Sequence, residues 1–405
     1  MSDIVIVGGG LTAATAAKTL RGEGFDGGIR IFAGENHNPY LRPPLSKEYL
    51  QGKAGLDAVW VEKAEWYGEN NVQLDTGTTV TAINPAGHEV EAGGAKVHYD
   101  QLLLATGCSP RHLPIPGADL DGVLTLRTLD DSDRLKEILT GGGKHVVLIG
   151  GGWIGLEIAS SAKQLGNEVV VLERDPIPLG RVLGDELGTY FTQFQRGKGV
   201  DIRGSVNITG IVGENGKVTG VGIEGGETVA ADVVLMGVGV VPNVSLAKDA
   251  GLDVQNGITT NAALATSAPD VFAAGDVAFS LHPALNEHIR SEHWANATGS
   301  GEVVAKSMLG QSVQHDMIPY FYTDQFDLGM EYSGYGPLTV GAEVAYRGDP
   351  KSGEFLAFWL KDGKVVAGMN VNVWDVNEAV QGIIRRGGVV DLGKLADKDV
   401  PLDEL

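Results

Sequence analysis

The stretch that decides the fold is residues 5–13, which read Val5-Ile6-Val7-Gly8-Gly9-Gly10-Leu11-Thr12-Ala13. An apolar run ending in this G-x-G-x-x-A pattern is typical of a strand that turns into a dinucleotide-binding helix. Residues 147–155 repeat the pattern as Val147-Leu148-Ile149-Gly150-Gly151-Gly152-Trp153-Ile154-Gly155. One match is a weak signal, but two in one chain predict two nucleotide sites, and therefore a flavin that exchanges electrons with a nicotinamide.

Each fingerprint residue has a physical role. The first glycine allows the tight turn, the second lets backbone N–H groups approach a pyrophosphate at the positive end of the helix, and the last small residue brings the helix close to the sheet. These residues are Gly8, Gly10 and Ala13 in the first fingerprint and Gly150, Gly152 and Gly155 in the second. The intervening Leu11, Thr12, Trp153 and Ile154 are predicted to contact the same nucleotides.

An acidic residue follows each fingerprint after a second β-rich run. Glu35 comes 22 residues after Ala13, and Glu173 comes 18 residues after Gly155. Both spacings match the roughly 20 residues expected for an acid that accepts from a ribose hydroxyl. A carboxylate at Glu173 also repels a 2′-phosphate, which predicts NADH over NADPH, although Arg174 lies next to it.

Composition narrows the class of protein. A chain of 405 residues with net charge −21 is too long for one core, and its charge argues against nucleic acid as a partner. No apolar run is long enough to span a membrane, and residues 1–5 enter a strand without room for a signal peptide, so we expect a cytoplasmic protein without a membrane partner. The single cysteine, Cys108, excludes a redox-active cysteine pair. No metal site is predicted.

The pattern of runs predicts an α/β fold with two Rossmann-like domains, of the glutathione-reductase type, and a C-terminal α+β domain. We expect an FAD-binding domain at 1–114 and 242–319, an NAD-binding domain at 115–241 and the third domain at 320–405. Antiparallel runs are predicted around 78–98 and 206–223, and a helix-rich segment around 45–70. The chain is expected to return to the first domain through the strand at 271–274.

Several blocks resemble one known family. They are Arg42-Pro43-Pro44-Leu45-Ser46-Lys47, Ala105-Thr106-Gly107, Leu126-Arg127-Thr128, Gly239-Val240-Val241-Pro242-Asn243, Ala274-Gly275-Asp276 and Glu292-His293-Trp294-Ala295-Asn296-Ala297. Together with both fingerprints they look like the FAD-dependent NADH:ferredoxin reductases of oxygenase systems, such as putidaredoxin reductase and the reductases of aromatic-ring dioxygenases. Rubredoxin reductase and apoptosis-inducing factor are similar.

The resemblance implies roles for individual residues. Lys47 would lie near flavin N5 and pair with Glu157, since a buried lysine needs a carboxylate to keep its charge. Arg42 would neutralise the FAD pyrophosphate, and Glu35 would hold its adenosine ribose. The other residues that the resemblance implies for FAD are Val80, Ala105, Thr106, Gly107, Arg127, Gly275, Asp276, Trp294 and Tyr322. For NAD it implies Glu157, Glu173, Arg181 and Gly239 in addition to the second fingerprint.

The chain departs from the family at two positions. The block Pro319-Tyr320-Phe321-Tyr322-Thr323-Asp324-Gln325 has tyrosines where P-W-F-W-S-D-Q is usual, so a phenol stands where an indole commonly packs on the flavin. Ser300 replaces a glutamine.

The resemblance implies a flavoprotein that takes hydride from NADH and passes single electrons to a ferredoxin or rubredoxin. An NADH oxidase, or a quinone or monodehydroascorbate-type reductase, uses the same core with a small acceptor. A signalling flavoprotein like apoptosis-inducing factor is a further alternative. Because ferredoxins are usually acidic, docking needs a local basic patch, for which we consider Arg290 and the pair Arg385 and Arg386.

Overall fold

The computed structural model describes residues 3–405, so that Met1 and Ser2, where the predicted first domain begins, lie outside the described residues. In chain order the strands are β1 (Asp3–Val7), β2 (Gly28–Phe32), β3 (Val72–Asp75), β4 (Val80–Asn84), β5 (Glu89–Ala92), β6 (Ala95–His98), β7 (Gln101–Leu104), β8 (Cys108–Pro110) and β9 (Val123–Leu124). They continue as β10 (His145–Ile149), β11 (Glu168–Leu172), β12 (Asp201–Arg203), β13 (Ile208–Glu214), β14 (Lys217–Ile223), β15 (Thr228–Ala230), β16 (Val233–Met236), β17 (Val240–Pro242) and β18 (Ile258–Thr260).

The later strands are β19 (Val271–Ala273), β20 (Ala278–His282), β21 (Glu287–Ile289), β22 (Tyr320–Gln325), β23 (Leu328–Gly334), β24 (Glu343–Asp349), β25 (Glu354–Lys361) and β26 (Lys364–Val371). The α-helices are α1 (Leu11–Gly22), α2 (Ala64–Glu69), α3 (Leu129–Leu139), α4 (Trp153–Gln164), α5 (Gly180–Leu183), α6 (Asp185–Gly197), α7 (Ser245–Asp249), α8 (Trp294–Met308), α9 (Asn377–Arg386) and α10 (Leu392–Ala396).

The chain divides into two compact units. The first comprises 1–42, 55–109 and 240–317, and the second comprises 43–54, 110–239 and 318–405. The segment 43–54, which the sequence places in the FAD-binding domain, therefore groups with the second unit. The division into three domains stays a prediction.

A parallel sheet in the order β3-β2-β1-β7-β19 forms the centre of the first unit. Alternate β1 residues point to opposite faces, so that Ile4 and Ile6 pack under α1 and α8 while Val5 and Val7 face the β4-β5-β6 layer. That layer is antiparallel, as predicted for 78–98. Because β19 pairs with β7, the predicted return of the chain to this sheet is confirmed.

The second unit repeats the arrangement with the parallel sheet β12-β11-β10-β16-β9. Val147 and Ile149 of β10 pack beneath the antiparallel β13-β14-β15 layer, and Val146 and Leu148 face the opposite core. The C-terminal part adds the antiparallel sheet β22-β23-β26-β25-β24, with α9 packed on β23 and β26. The predicted α/β class with two Rossmann-like folds and a C-terminal α+β part is confirmed.

The expectation of a helix-rich segment around 45–70 is wrong. That region holds short 3-10 turns at Pro43–Ser46 and Leu56–Ala58 and the six-residue helix α2. Gly52 has φ +73°, outside the right-handed helical region, so the chain does not continue as one α-helix across the segment.

Candidate active site

The first fingerprint forms the turn between β1 and α1. Gly8 has φ +124°, and a Cβ there would lie 2.1 Å from the carbonyl oxygen of Ala105, so only glycine fits. Gly10 precedes the helix in an extended conformation, and within the described chain no side chain caps the helix and no atom lies within 4 Å of a Cβ built on Gly10. The first-turn N–H groups therefore remain available to an anion.

The second fingerprint repeats this geometry between β10 and α4. Gly150 has φ +103°, and a Cβ there would lie 2.4 Å from the carbonyl oxygen of Gly237. A Cβ on Gly155 would lie 2.4 Å from the carbonyl oxygen of Gly150, so the glycine lets the helix approach the strand. Around Gly152, at the start of α4, residues 3–405 place neither a capping side chain nor a heavy atom within 4 Å of a built Cβ.

FAD and a nicotinamide dinucleotide fit these two turns. The first turns of α1 and α4 contain no acidic residue among the described positions, so the positive helix ends face no fixed anion of their own turn. The open space beside Gly10 and Gly152 gives each pyrophosphate a path to backbone donors. The geometry of both turns is therefore compatible with the nucleotides that the sequence predicts.

Glu35 and Arg42 form an ion pair in the first unit. Arg42 Nη2 lies 3.0 Å from Glu35 Oε1, and the hydroxyl of Tyr40 donates to Glu35 Oε2 at 2.5 Å. The Arg42 guanidinium also lies over the Tyr40 ring, 5.1 Å from its centroid. The pair holds the carboxylate predicted for the ribose next to the cation predicted for the pyrophosphate.

The turn at Gly275 and Asp276 is anchored by a residue that the sequence marked only as a departure. Ser300 Oγ accepts from the Gly275 N–H at 3.0 Å and donates to the Asn296 carbonyl at 2.6 Å. Gly275 has φ +78°, and a Cβ there would lie 2.4 Å from Thr12 Oγ1. Ser300 therefore fixes the backbone that presents Asp276 beside the fingerprint threonine.

The remaining residues predicted to contact FAD in the first unit lie after β7, at the start of β4 and at the start of α8. Thr106 and Asn243 exchange hydrogen bonds, from Thr106 Oγ1 to the Asn243 carbonyl at 2.8 Å and from Asn243 Nδ2 to the Thr106 carbonyl at 2.9 Å. Val80 is buried at the start of β4, and Trp294 opens α8 with 41% of its surface exposed. Ala105 and Gly107 flank Thr106 directly after β7.

A buried ion pair forms the centre of the second unit's polar site. Lys47 Nζ lies 2.9 Å from Glu157 Oε2, and the two side chains are 7% and 6% exposed. Ser46 Oγ donates to the same oxygen at 2.5 Å, and Thr323 Oγ1 donates to Glu157 Oε1 at 2.7 Å. The structure brings together the two residues that the resemblance pairs, and these donors stabilise the ionised carboxylate.

Tyr322 lies beside this pair. Lys47 Nζ is 5.4 Å from the centroid of its ring, within range of a cation–π interaction. Burial raises the pKa of Tyr322 to about 12, so the phenol stays neutral and adds no anion beside the lysine. Arg127 belongs to the same unit, just before α3, and its backbone N–H donates to Asp131 Oδ2 at 3.0 Å.

Glu173 follows β11 and faces the second fingerprint. Its Oε2 accepts from the Gly151 N–H at 2.6 Å and its Oε1 from the Asp175 N–H at 2.9 Å. Arg181, predicted to contact NAD, pairs with Asp175 at 2.6 Å, and Arg174 lies 3.8 Å from the same carboxylate. Both arginines are largely exposed and already directed to an acid.

The other residues predicted to contact the nicotinamide nucleotide are Trp153 and Ile154 within the second fingerprint, and Gly239. Trp153 packs inward, with its ring 5.5 Å from that of Phe191, whereas Ile154 is 49% exposed. Gly239 has φ +92°, and no heavy atom of the described chain lies within 4 Å of a Cβ built there.

One expectation changes with these contacts, and two unpredicted residues join the site. Arg290 is unsuited to docking a partner, because its side chain is 11% exposed and its guanidinium pairs with Glu292. Ser46 and Thr323 contact the central carboxylate, yet the sequence analysis did not single them out. Each is a hydroxyl residue next to a predicted site residue inside a family block, and that position was the available signal.

Across residues 3–405, none of the helices is both long and apolar enough to cross a membrane. The chain matches the family model described as pyridine nucleotide-disulphide oxidoreductase over residues 2–301, and the model described as reductase C-terminal over residues 320–405. A disulfide mechanism does not carry over, since Cys108 is the chain's one cysteine and is buried.

Individual proteins resemble the chain over its full length. A probable ferredoxin reductase of Castellaniella defragrans is 36% identical over 99% of this chain and 98% of its own. Putidaredoxin reductase of Pseudomonas putida is 34% identical over 100% of this chain and 96% of its own. The crystal structure of the ferredoxin reductase for the CYP199A2 system from Rhodopseudomonas palustris superposes with a TM-score of 0.94 at 34% identity, covering 100% of this chain and 99% of that one.

The duplicated fingerprints, the repeated parallel sheets and these full-length similarities lead to one assignment. The chain belongs to the pyridine nucleotide-disulphide oxidoreductase family, with the reductase C-terminal domain of the ferredoxin reductases.

Proposed function

We propose that this chain is an NADH-dependent FAD flavoprotein that reduces a ferredoxin or rubredoxin serving an oxygenase system. The observation that carries the proposal is the duplicated dinucleotide fold in a chain that aligns end to end with ferredoxin reductases. When bound, FAD accepts a hydride from NADH and releases the electrons one at a time, which the protein itself cannot do.

The first unit binds the FAD nucleotide in this proposal. The N–H groups after Gly10 hold the pyrophosphate, Arg42 neutralises it, and Glu35 accepts from the adenosine ribose. Asp276, on the turn held by Ser300, accepts from the ribitol.

Lys47 supplies a fixed cation beside the flavin ring. Glu157 keeps that ammonium protonated and oriented, because a buried lysine without a carboxylate favours its neutral form. The neutral ring of Tyr322 covers the lysine without competing for it.

The second unit binds the nicotinamide dinucleotide. The N–H groups after Gly152 hold its pyrophosphate, and Glu173 accepts from the adenosine 2′-hydroxyl. Because Glu173 is held by two backbone donors, it keeps a negative charge where NADPH would place a phosphate. This favours NADH.

The names of the relatives support the proposed partner. The Castellaniella and Rhodopseudomonas proteins are named as ferredoxin reductases, and an iron–sulfur protein that accepts single electrons suits a flavin donor. We place the enzyme in the cytoplasm, where NADH is supplied.

The test measures NADH-dependent reduction of a panel of ferredoxins and rubredoxins by the FAD-loaded protein, with oxygen uptake and quinone reduction as controls. We expect at least one iron–sulfur protein to be reduced much faster than oxygen or quinone. Faster turnover with oxygen or quinone would instead identify an oxidase or a quinone reductase. Slow turnover with every acceptor, together with a long-lived reduced complex, would identify a signalling flavoprotein.

A further inference from the structure

A series of hydrogen-bonded, buried polar side chains connects helix α6 to the Lys47–Glu157 pair. Gln195 Nε2 donates to Gln325 Oε1 at 2.8 Å, and Gln325 Nε2 donates to Thr323 Oγ1 at 3.3 Å. Thr323 Oγ1 in turn donates to Glu157 Oε1 at 2.7 Å. All four of these residues are buried, and all belong to the second unit.

In this series of side chains, each residue donates to the next one, and the last hydrogen bond reaches the Glu157 carboxylate. A hydroxyl has one proton, so when Thr323 accepts from the Gln325 amide its own proton goes to Glu157. The orientation of both glutamine amides is then set in turn, since each must present its NH₂ group to the next acceptor. If Glu157 carried a proton on Oε1, the Thr323 hydroxyl could accept it only by turning its own proton away from Glu157.

The two carboxylate oxygens have different donors. Glu157 Oε2 is shared by Lys47 and Ser46, whereas Oε1 accepts a hydrogen bond from Thr323. Removing the Thr323 hydroxyl would leave a buried anionic oxygen without that donor, which is more costly than losing a neutral hydrogen bond.

The first residue of this series also contacts the backbone of helix α4, which carries Glu157. Gln195 Nε2 also lies 3.1 Å from the carbonyl oxygen of Leu156, the residue before Glu157. Strand β22 and helix α6 are thus tied to the backbone and to the side chain of the same turn of α4. This arrangement restrains the position of the carboxylate as well as its charge.

We propose that Thr323, and through it Gln325 and Gln195, are positioning residues that keep Glu157 ionised and thereby hold Lys47 protonated for flavin reduction. The inference rests on the proposed function for the reaction, but it concerns contacts within this chain. Their effect is transmitted through Glu157.

The test compares Thr323→Val, which removes the hydroxyl at nearly constant volume, with Thr323→Ser, which keeps it. The matched control is Thr192→Val, because Thr192 is also buried in the second unit but donates to the Gly188 carbonyl. In each FAD-loaded variant, rapid mixing with NADH gives the rate of flavin reduction across pH 5–9, and urea unfolding gives the midpoint.

We expect Thr323→Val to move the acid limb of the rate–pH profile upward by about one pH unit, the size expected for one hydrogen bond to a charged group. Thr323→Ser should restore the wild-type profile, and Thr192→Val should lower only the urea midpoint. Combined with Glu157→Gln, Thr323→Val should lower the midpoint by less than the sum of the two single changes.

A wild-type pH profile in Thr323→Val, or strict additivity with Glu157→Gln, would overturn the inference. If Thr323→Val does not fold, Gln325→Met serves as the second variant, because Gln325 donates to Thr323. We expect it to shift the acid limb of the rate–pH profile upward by less than one pH unit. Because wild-type ferredoxin reduction is measured in parallel, its absence would count against the proposed function, whereas an unchanged Thr323→Val profile beside normal ferredoxin reduction would count against the positioning role alone.

Discussion

Glu157 Oε2 lies 2.9 Å from Lys47 Nζ, although 110 residues separate the two side chains in sequence. Both side chains are almost fully buried, and they carry opposite charges. A buried pair of this kind adds little net stability compared with apolar residues, but losing one partner strands the other charge.

Removing either charge should therefore lower the free energy of unfolding, and removing both should lower it by less than the sum of the two single changes. We expect Lys47→Ala and Glu157→Gln each to lower the free energy of unfolding by about 3–5 kcal/mol and to slow flavin reduction. Chemical denaturation and rapid mixing with NADH measure the two effects in a double-mutant cycle. Strict additivity in both would show that the pair does not act as a unit.

Glu173 should decide the choice of nicotinamide nucleotide. We expect NADH to exceed NADPH by at least about tenfold in kcat/KM, or about 1.4 kcal/mol, because a fixed carboxylate repels the 2′-phosphate. Glu173→Ala should narrow the ratio, whereas Glu168→Ala, a largely exposed acid on the same strand β11, should leave it unchanged. Equal efficiency of the wild type with both nucleotides would contradict the assignment.

Arg385 is the better test of a docking patch than its neighbour. Arg386 Nη2 donates to the Leu405 carbonyl at 2.6 Å, so reversing its charge would also release the C-terminal residue. We expect Arg385→Glu to raise the KM for ferredoxin several-fold and to flatten its salt dependence, since steering between charges weakens with ionic strength. Steady-state kinetics over a range of salt concentrations measure both.

Lys361→Glu makes the same charge change at an exposed position of strand β25 and serves as the control. Ferricyanide reduction should stay at the wild-type rate in both variants, because a small acceptor needs no docking surface. Equal losses with ferredoxin and ferricyanide in Arg385→Glu would point to damage at the flavin.

Histidine burial should make the first unit sensitive to acid. Burial lowers the pKa of His315 to about 4, whereas an unfolded histidine titrates near 6.5. Between those values the unfolded chain binds a proton that the folded chain does not, so stability is present above about pH 6.5 and is lost as pH falls toward 4. Over the full interval from pH 6.5 to 4 the contribution of His315 is about 3 kcal/mol.

Thermal unfolding between pH 7 and 5 tests this. His315→Gln, which can still donate to Asn296 Oδ1, should reduce the loss of Tm on acidification. It should not remove the loss completely, because burial lowers the pKa of His293 to about 4 as well. His98→Gln, at an exposed histidine, should behave as wild type. The same pH slope in His315→Gln and wild type would show that His315 titrates normally.

Local patterns in the sequence were sufficient for the two nucleotide folds. Gly8 and Gly150 mark their turns because a Cβ at either position meets a backbone carbonyl, and this requirement is visible in a few consecutive residues. The alternation of β-rich and helical runs likewise predicted the parallel sheets and the antiparallel layers. The same reasoning failed at 45–70, where Gly52 and Gly55 interrupt the apolar residues and the chain forms turns and short helices.

Contacts between distant side chains needed more than a pattern. The resemblance paired Lys47 with Glu157, but it gave no role to Thr323 or Gln325. The structure shows that Thr323 donates to the Glu157 carboxylate and that Gln325 donates to Thr323. Arg290 illustrates the opposite case, since a charged residue next to a family motif proved to be buried against Glu292.

The sequence by itself determined where the strand-to-helix turns lie and which small residues they require, because those constraints act within about ten consecutive residues. Only the tertiary structure decided which donors surround Glu157 and how the protons of Gln195, Gln325 and Thr323 are directed. Hydrogen bonds depend on distances of about 3 Å and on orientation, and these are set by the packing of elements far apart in the chain.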